Sequence, residues 1–184
     1  MGSANISRSL DILSFWWAAG MQKWFMGGEA FDNEIREKFE ADVEAAAAGE
    51  YDHWQESPHG TLALLILLDQ FTRNIYRGTA KAFEQDKKAQ QIALAALERK
   101  DHHAYPAMAK TFFFLPFEHA EDMDMQSLSC DLFRQYTDQD AYHYALVHMD
   151  VIRRFGRFPH RNKFLGRTST PAEEEFLASG GFSA

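Results

Sequence analysis

The sequence has almost no cysteine and no long apolar run, and each shortage excludes a class of protein. Cys130 is the one cysteine among 184 residues, so an internal disulfide is impossible, as is usual in a reducing compartment. The longest apolar run, residues 62–68, is far shorter than the roughly 20 residues that span a bilayer. We therefore expect a cytoplasmic protein without a membrane segment.

Basic residues are also fewer than acidic residues. The chain has 19 Lys and Arg against 27 Asp and Glu, which gives a net charge of −8. A nucleic-acid-binding protein is expected to carry a basic excess, so the composition argues against a nucleic-acid partner. A short RNA contact through the one basic stretch described below is the weaker alternative.

Patterns typical of β-strands are nearly absent, and the apolar residues have the spacing of α-helices instead. Apolar residues recur at intervals of three and four along most of the chain. About eight helices joined by short loops are predicted, and short loops favour stacked antiparallel helical hairpins, although no 34-residue consensus recurs. A length of 184 residues with 46% hydrophobic composition predicts a single all-helical domain over residues 1–184.

Local residues mark several helix ends. Thr170, Pro171 and Glu173 have the spacing of a capping box, with proline at the first helical position. Asp32 stands where the cap of the second helix is expected. Pro116 is expected to break or kink the fifth helix, because proline lacks an amide hydrogen.

The predicted third helix, about residues 61–75, is the first candidate site. It is apolar on every face over residues 62–68 and is therefore expected in the middle of the packing. Asp69 and Arg73 are four apart, as are Gln70 and Asn74, so each pair lies on one helix face. Because buried charges must be paired, a structural ion pair is one interpretation of Asp69 and Arg73, and the polar wall of a pocket is the other.

The second candidate is a histidine among carboxylates just after Pro116. His119 is flanked by Glu118, Glu121 and Asp122, an arrangement that can orient a general base or contribute to a metal site. The helix dipole explains carboxylates at a helix start equally well. Because no His-Glu-x-x-His or comparable ligand spacing occurs, we assign no metal and leave the cofactor open.

The third candidate is His148, which lies on an apolar helix face with Ala145, Ile152 and Phe155. A histidine in that position is either a hydrogen-bonded core residue or a proton carrier. When buried, it should favour its neutral form unless a carboxylate faces it.

The fourth candidate is a basic stretch without any acidic residue, residues 151–172. Its six cations are Arg153, Arg154, Arg157, Arg161, Lys163 and Arg167. Arginine clusters suit carboxylates and phosphates, which predicts an anion site. The alternative is that these side chains cap helix carbonyls and pair with the acidic remainder of the chain.

Three blocks of sequence resemble the bacterial family known as domain of unknown function 924. They are Leu67-Leu68-Asp69-Gln70-Phe71 with Arg73-Asn74, Pro116-Phe117-Glu118-His119 with Glu121, and Phe155-Gly156-Arg157-Phe158-Pro159-His160-Arg161-Asn162 with Leu165-Gly166-Arg167-Thr168-Ser169-Thr170. The resemblance implies a tetratricopeptide-like superhelix and no established activity. Thr72 stands where the family usually has proline, and Ala120 where it usually has serine, which weakens any serine nucleophile beside His119.

The working hypothesis is that the blocks converge in one pocket for a small anionic ligand, a phosphate or a carboxylate, with hydrolysis as its use. The residues expected to move or orient a proton are His148, His119, Asp69 and Glu118. The residues expected to bind the anion are Arg73, Asn74, Arg157, His160, Arg161, Asn162 and Arg167. The alternative is a non-enzymatic module that binds a peptide, since stacked hairpins often present a concave face. The sequence leaves open whether the protein is an enzyme.

Overall fold

The computed structural model describes residues 2–181, with side chains from residue 7 onwards, and the regular elements in this part of the chain are all helical. The helices are α1 (Gly2–Met26), α2 (Gly28–Ala48), α3 (Pro58–Leu65), α4 (Thr72–Ile75), α5 (Asp86–Arg99), α6 (Ala107–Glu118), α7 (Met123–Tyr136), α8 (Gln139–Phe155) and α9 (Pro171–Ala178). A π-helical segment, Ile66–Phe71, joins α3 to α4 without a break. The all-helical prediction is confirmed. Within the described residues, no helix is both long and apolar enough to cross a bilayer.

The chain forms two compact units. The first contains the residues up to Arg77 together with Lys81–Tyr105, and so holds α1 to α5. The second contains Gly78–Ala80 and the residues from Pro106 onwards, and so holds α6 to α9. The expectation of a single domain stays a prediction.

The first unit is built around α3 and the π-helical segment. Residues 62–68 are at most 1% exposed, which confirms that this helix is buried on every face. The ring of Phe71 lies 5.5 Å from Trp16, 5.2 Å from Phe39 and 6.2 Å from Phe15, measured between ring centroids. Aromatic contacts at these distances therefore tie α1 and α2 to the central helix.

The π-helical segment interrupts the regular α-helix that the spacing predicted over residues 61–75. It includes Asp69 and Gln70, two residues of the first candidate block. A single π turn inside an α-helix is rare and is found frequently at functional sites. The departure from regular helix thus covers the last three residues of the apolar run, 66–68, together with the polar residues that follow them.

One of the predicted helix ends was wrong. Asp32 is not a cap, because α2 begins four residues earlier and Asp32 is buried inside the helix, where its carboxylate accepts hydrogen bonds from Asn74 and Arg77. Of the two outcomes expected at Pro116, a break does not occur, because α6 continues through it to Glu118, and a kink stays a prediction. The predicted capping box of α9 is present, with the Thr170 and Glu173 side chains each bonded to the other's backbone amide.

The second unit is a run of packed neighbours. Helix α7 packs against both α6 and α8, and α9 packs against a short 3-10 turn, Pro159–Arg161. Val151, Ile152 and Phe158 form a small buried cluster, with Phe155 and Phe176 packed against it. This cluster holds Phe158, which follows α8 in the basic stretch, against the last turns of that helix.

We expect Phe71→Ala to lower the free energy of unfolding by about 3–5 kcal/mol, because the ring is fully buried among other aromatic rings. Phe25→Ala is the matched control, since the Phe25 side chain is 58% exposed. It should change the free energy by no more than about 0.5 kcal/mol. Chemical denaturation measures both. Equal effects of the two substitutions would show that the aromatic cluster does not anchor this unit.

Candidate functional site

A buried carboxylate–imidazole pair lies between the end of α6 and the middle of α8. The Nδ1 atom of His148 is 3.1 Å from Oε1 of Glu118 and 2.8 Å from the carbonyl oxygen of Tyr144. Both side chains of the pair are less than a tenth exposed. Because a carbonyl oxygen only accepts hydrogen bonds, Nδ1 carries the hydrogen and Nε2 holds the lone pair. The structure therefore presents His148 as an oriented base.

His148 is neutral although a carboxylate faces it. Its pKa is lowered to about 3, first by burial and then by the positive charges of His119, Arg161 and His160. The Tyr144 carbonyl acts in the opposite direction and is outweighed. Because the ring is neutral, its contact with Glu118 is a hydrogen bond and not an ion pair.

Two further histidines and one arginine surround this pair. The ring centroids of His119 and His148 are 6.2 Å apart, and the ring of Phe158 meets His148 edge-on at 5.7 Å. His160 lies 5.7 Å from Phe158 on the same measure, and the guanidinium of Arg161 sits 4.5 Å above the Phe158 ring. Arg161 is 5% exposed, so a buried cation belongs to the surroundings of the base.

Gln126 holds the end of α6 in place. Its side-chain amide donates to the backbone oxygens of Glu118, at 2.6 Å, and of Ala120, at 2.8 Å. Gln126 is completely buried, so these bonds are shielded from water. Gln126 was not predicted as a site residue, because one glutamine within a regular helical pattern carries no distinguishing signal.

Glu121 and Arg167 lock the loop that carries Phe158. Arg167 donates to both carboxylate oxygens of Glu121, at 2.6 and 2.9 Å, and the backbone amide of Phe158 donates to the same carboxylate at 2.8 Å. Burial by itself raises the pKa of Glu121, but these bonds outweigh it and hold that pKa below its ordinary value. Arg167 is thus occupied by a carboxylate of the protein.

Arg157 is occupied in the same way. It donates to both oxygens of Glu173, at 2.6 and 2.8 Å, and lowers the pKa of Glu173 to about 2. Asn162 donates to Ser169 and accepts from Arg167. These contacts agree with the second interpretation of the basic stretch, in which its arginines pair with acidic residues elsewhere in the chain. We assign no ligand contact to Arg157, Asn162 or Arg167.

The first candidate block lies in the other compact unit. Asp69 is 3.1 Å from Arg73, and Arg73 also pairs with Asp86 at 3.0 Å. The Gln70 amide donates to Asp69 at 2.6 Å, and Asn74 donates to Asp32 at 2.7 Å. These contacts match the structural interpretation of the block, and the pocket shared by all three blocks stays a prediction.

Among the described residues, no group of three or more His, Cys, Asp or Glu is placed to hold a metal ion.

A family model described as bacterial protein of unknown function (DUF924) matches residues 12–181. The chain belongs to this family. A solved structure of a protein of unknown function from Agrobacterium tumefaciens is 42% identical in sequence to this chain. It superimposes with a TM-score of 0.92 over 96% of this chain and 99% of that one. No curated protein matches this DUF924 chain.

The lowered pKa of His148 predicts a pH-dependent stability. Below pH 6.5 the unfolded chain binds a proton at this ring that the folded protein does not, so stability falls as the pH drops from 6.5 towards 3. One such proton contributes a slope of about 1.4 kcal/mol per pH unit. His148→Gln should remove this part of the slope in denaturation curves, while His143→Gln, an exposed position of the same helix, should keep it. An unchanged slope in His148→Gln would contradict the neutral ring.

Removing Arg167 should destabilise the protein most at neutral pH. Because the pKa of Glu121 is lowered in the folded state, its contribution is complete above about pH 4.5 and is lost as the pH falls. We expect Arg167→Met to be less stable than the unmodified protein at pH 7, with a gap that narrows below pH 4. Arg153→Met is the control, because Arg153 pairs with Asp150 in the exposed part of α8. A gap that stays constant with pH would rule out the ionic role of Arg167.

Proposed function

We propose that the second unit of this DUF924 protein carries a proton-transfer site for a small anionic ligand. In this site His148 is the base, Glu118 orients it, and Arg161 supplies the cation. The observation that carries the proposal is the 3.1 Å contact between Glu118 Oε1 and His148 Nδ1, in which both side chains are buried. A carboxylate that fixes the tautomer of a neutral histidine is the arrangement used in general base catalysis.

Positive charge around His148 supports an anionic ligand. His119, Arg161 and His160 all lower the pKa of His148 through their charges. An anion bound among these groups would cancel part of their field and raise the pKa of the base. His148 would then gain basicity when the ligand is present, which couples binding to proton transfer.

Exposure indicates how a ligand would reach the base. His148 and Arg161 are buried, whereas His119 and His160 are both partly exposed. A ligand would therefore meet His119 and His160 first. These two rings can donate hydrogen bonds to its oxygens before Arg161 and His148 do.

The reaction class proposed for the site is hydrolysis of a phosphate ester or of a carboxylic ester. Nε2 of His148 would take a proton from water as the water oxygen bonds to the phosphorus or acyl carbon. The bond to the leaving alkoxide then breaks, and the imidazolium returns the proton to that alkoxide. Arg161 would stabilise the charge that develops on the non-bridging oxygen.

Anion binding is tested by thermal unfolding at constant ionic strength with phosphate, acetate and succinate as probes. We expect at least one probe to raise the melting temperature of the unmodified protein and of Arg153→Met but not of Arg161→Met. Circular dichroism of each variant shows whether it is folded. A shift that survives in Arg161→Met, or no shift with any probe, would count against the anion site.

Hydrolysis is tested with a chromogenic aryl phosphate and an aryl ester of succinate. His148→Gln should reduce kcat by about 10² to 10⁴-fold, the usual contribution of a general base. Glu118→Gln should also reduce kcat, because a neutral amide no longer favours the imidazolium that forms during the reaction. His143→Gln is the control and should retain full activity. If His148→Gln keeps the activity of the unmodified protein, His148 is not the base of this reaction.

A further inference from the structure

A second arginine in the same unit, Arg154, lies on an aromatic surface that the proposed proton-transfer site does not use. Its guanidinium is 4.8 Å from the ring centroid of Phe155 and 4.8 Å from that of Phe176. The two rings are themselves 5.0 Å apart. Contact with two rings restricts the long arginine side chain, so less freedom is lost when it binds a ligand.

The charge of Arg154 is only weakly balanced by its nearest carboxylate. Asp150 lies 3.7 Å from Arg154 but 2.7 Å from Arg153, so two guanidinium groups share one carboxylate. Arg154 is 47% exposed and Asp150 is 43% exposed. A weak pair of this kind leaves the guanidinium available to a better acceptor from solution.

Two clefts lie near Arg154: one is lined by the arginine itself, and the other by Asp150 and Phe176, two of the residues that contact it. One, of about 470 Å³, is lined by Arg154, Phe155, Arg157, Thr170, Ala172 and Glu173. The other, of about 250 Å³, is lined by Leu146, Val147, Asp150, Val151 and Phe176. Small-molecule sites occupy clefts of roughly 300–1,000 Å³ with mostly apolar walls and a few polar groups.

The two cations of the larger cleft differ in how they are occupied. Arg157 is held by both oxygens of Glu173, and Glu173 is 2% exposed. Within the described residues, the Asp150 carboxylate lies 3.7 Å from Arg154 and does not chelate it, and the ring of Phe155 supplies an apolar surface beside the charge. The cleft therefore combines one accessible guanidinium with an aromatic wall.

We propose that this cleft binds a small carboxylate with an apolar body, such as an aryl-alkyl carboxylate. The carboxylate would accept two parallel hydrogen bonds from the Arg154 guanidinium, which is the geometry that this group favours. The apolar body would lie against the ring of Phe155, which lines this cleft. The proposal stands apart from the proton-transfer site, since it uses neither His148 nor Arg161.

The test is a titration of the purified protein with 4-phenylbutyrate, followed by calorimetry or by NMR, at constant ionic strength. We expect saturable binding that weakens by about tenfold or more in Arg154→Met, in line with loss of one charged hydrogen-bonding pair. Arg134→Met is the matched control, because it removes an exposed cation of the same unit that pairs with Asp131 on α7. It should bind as the unmodified protein does.

Two comparison ligands and one further variant complete the experiment. The neutral 4-phenylbutanol should bind more weakly than 4-phenylbutyrate, and butyrate should also bind more weakly because it lacks the ring. Arg161→Met should leave 4-phenylbutyrate binding unchanged. Binding that is lost in Arg161→Met but kept in Arg154→Met would place the ligand at the proton-transfer site and overturn this proposal. Absence of saturable binding would overturn it as well, without bearing on the hydrolysis assay.

Discussion

The hydrogen bond between Glu118 and His148 is the contact on which the proposed site depends. It joins the last residue of α6 to the middle of α8, and both partners are buried. Gln126 fixes the α6 end of this bond through two backbone oxygens, while Phe158 covers the imidazole from the basic stretch. A buried, neutral, oriented imidazole costs stability in acid, and such a cost is more often met at functional sites than in an ordinary core.

Four of the five arginines of the basic stretch divide into two kinds. Arg157 and Arg167 each chelate a carboxylate of the protein and thereby hold the stretch to its own unit. Arg161 and Arg154 instead lie against aromatic rings, one buried and one half exposed. A cation on an aromatic surface keeps hydrogen-bond donors at its edge, which is why the two proposed ligand sites fall on the second kind.

Helical spacing was sufficient to predict the all-helical class and the buried third helix, because apolar periodicity directly reflects burial. Charge spacing indicated the Asp69–Arg73 pair as one of two interpretations, because residues four apart lie on one helix face. Which arginines chelate carboxylates was beyond the sequence, because Glu121 and Glu173 reach Arg167 and Arg157 only through the folded loop. The π-helical segment and the role of Gln126 were missed because neither has a composition signal.

The state of the His148 ring tests the central claim most directly. Nitrogen-15 NMR of the imidazole distinguishes the two neutral tautomers and the protonated ring, and it can be followed from pH 8 to pH 4. The account predicts hydrogen on Nδ1 and no protonation across this range. A ring with hydrogen on Nε2, or one that titrates near pH 6.5, would contradict it.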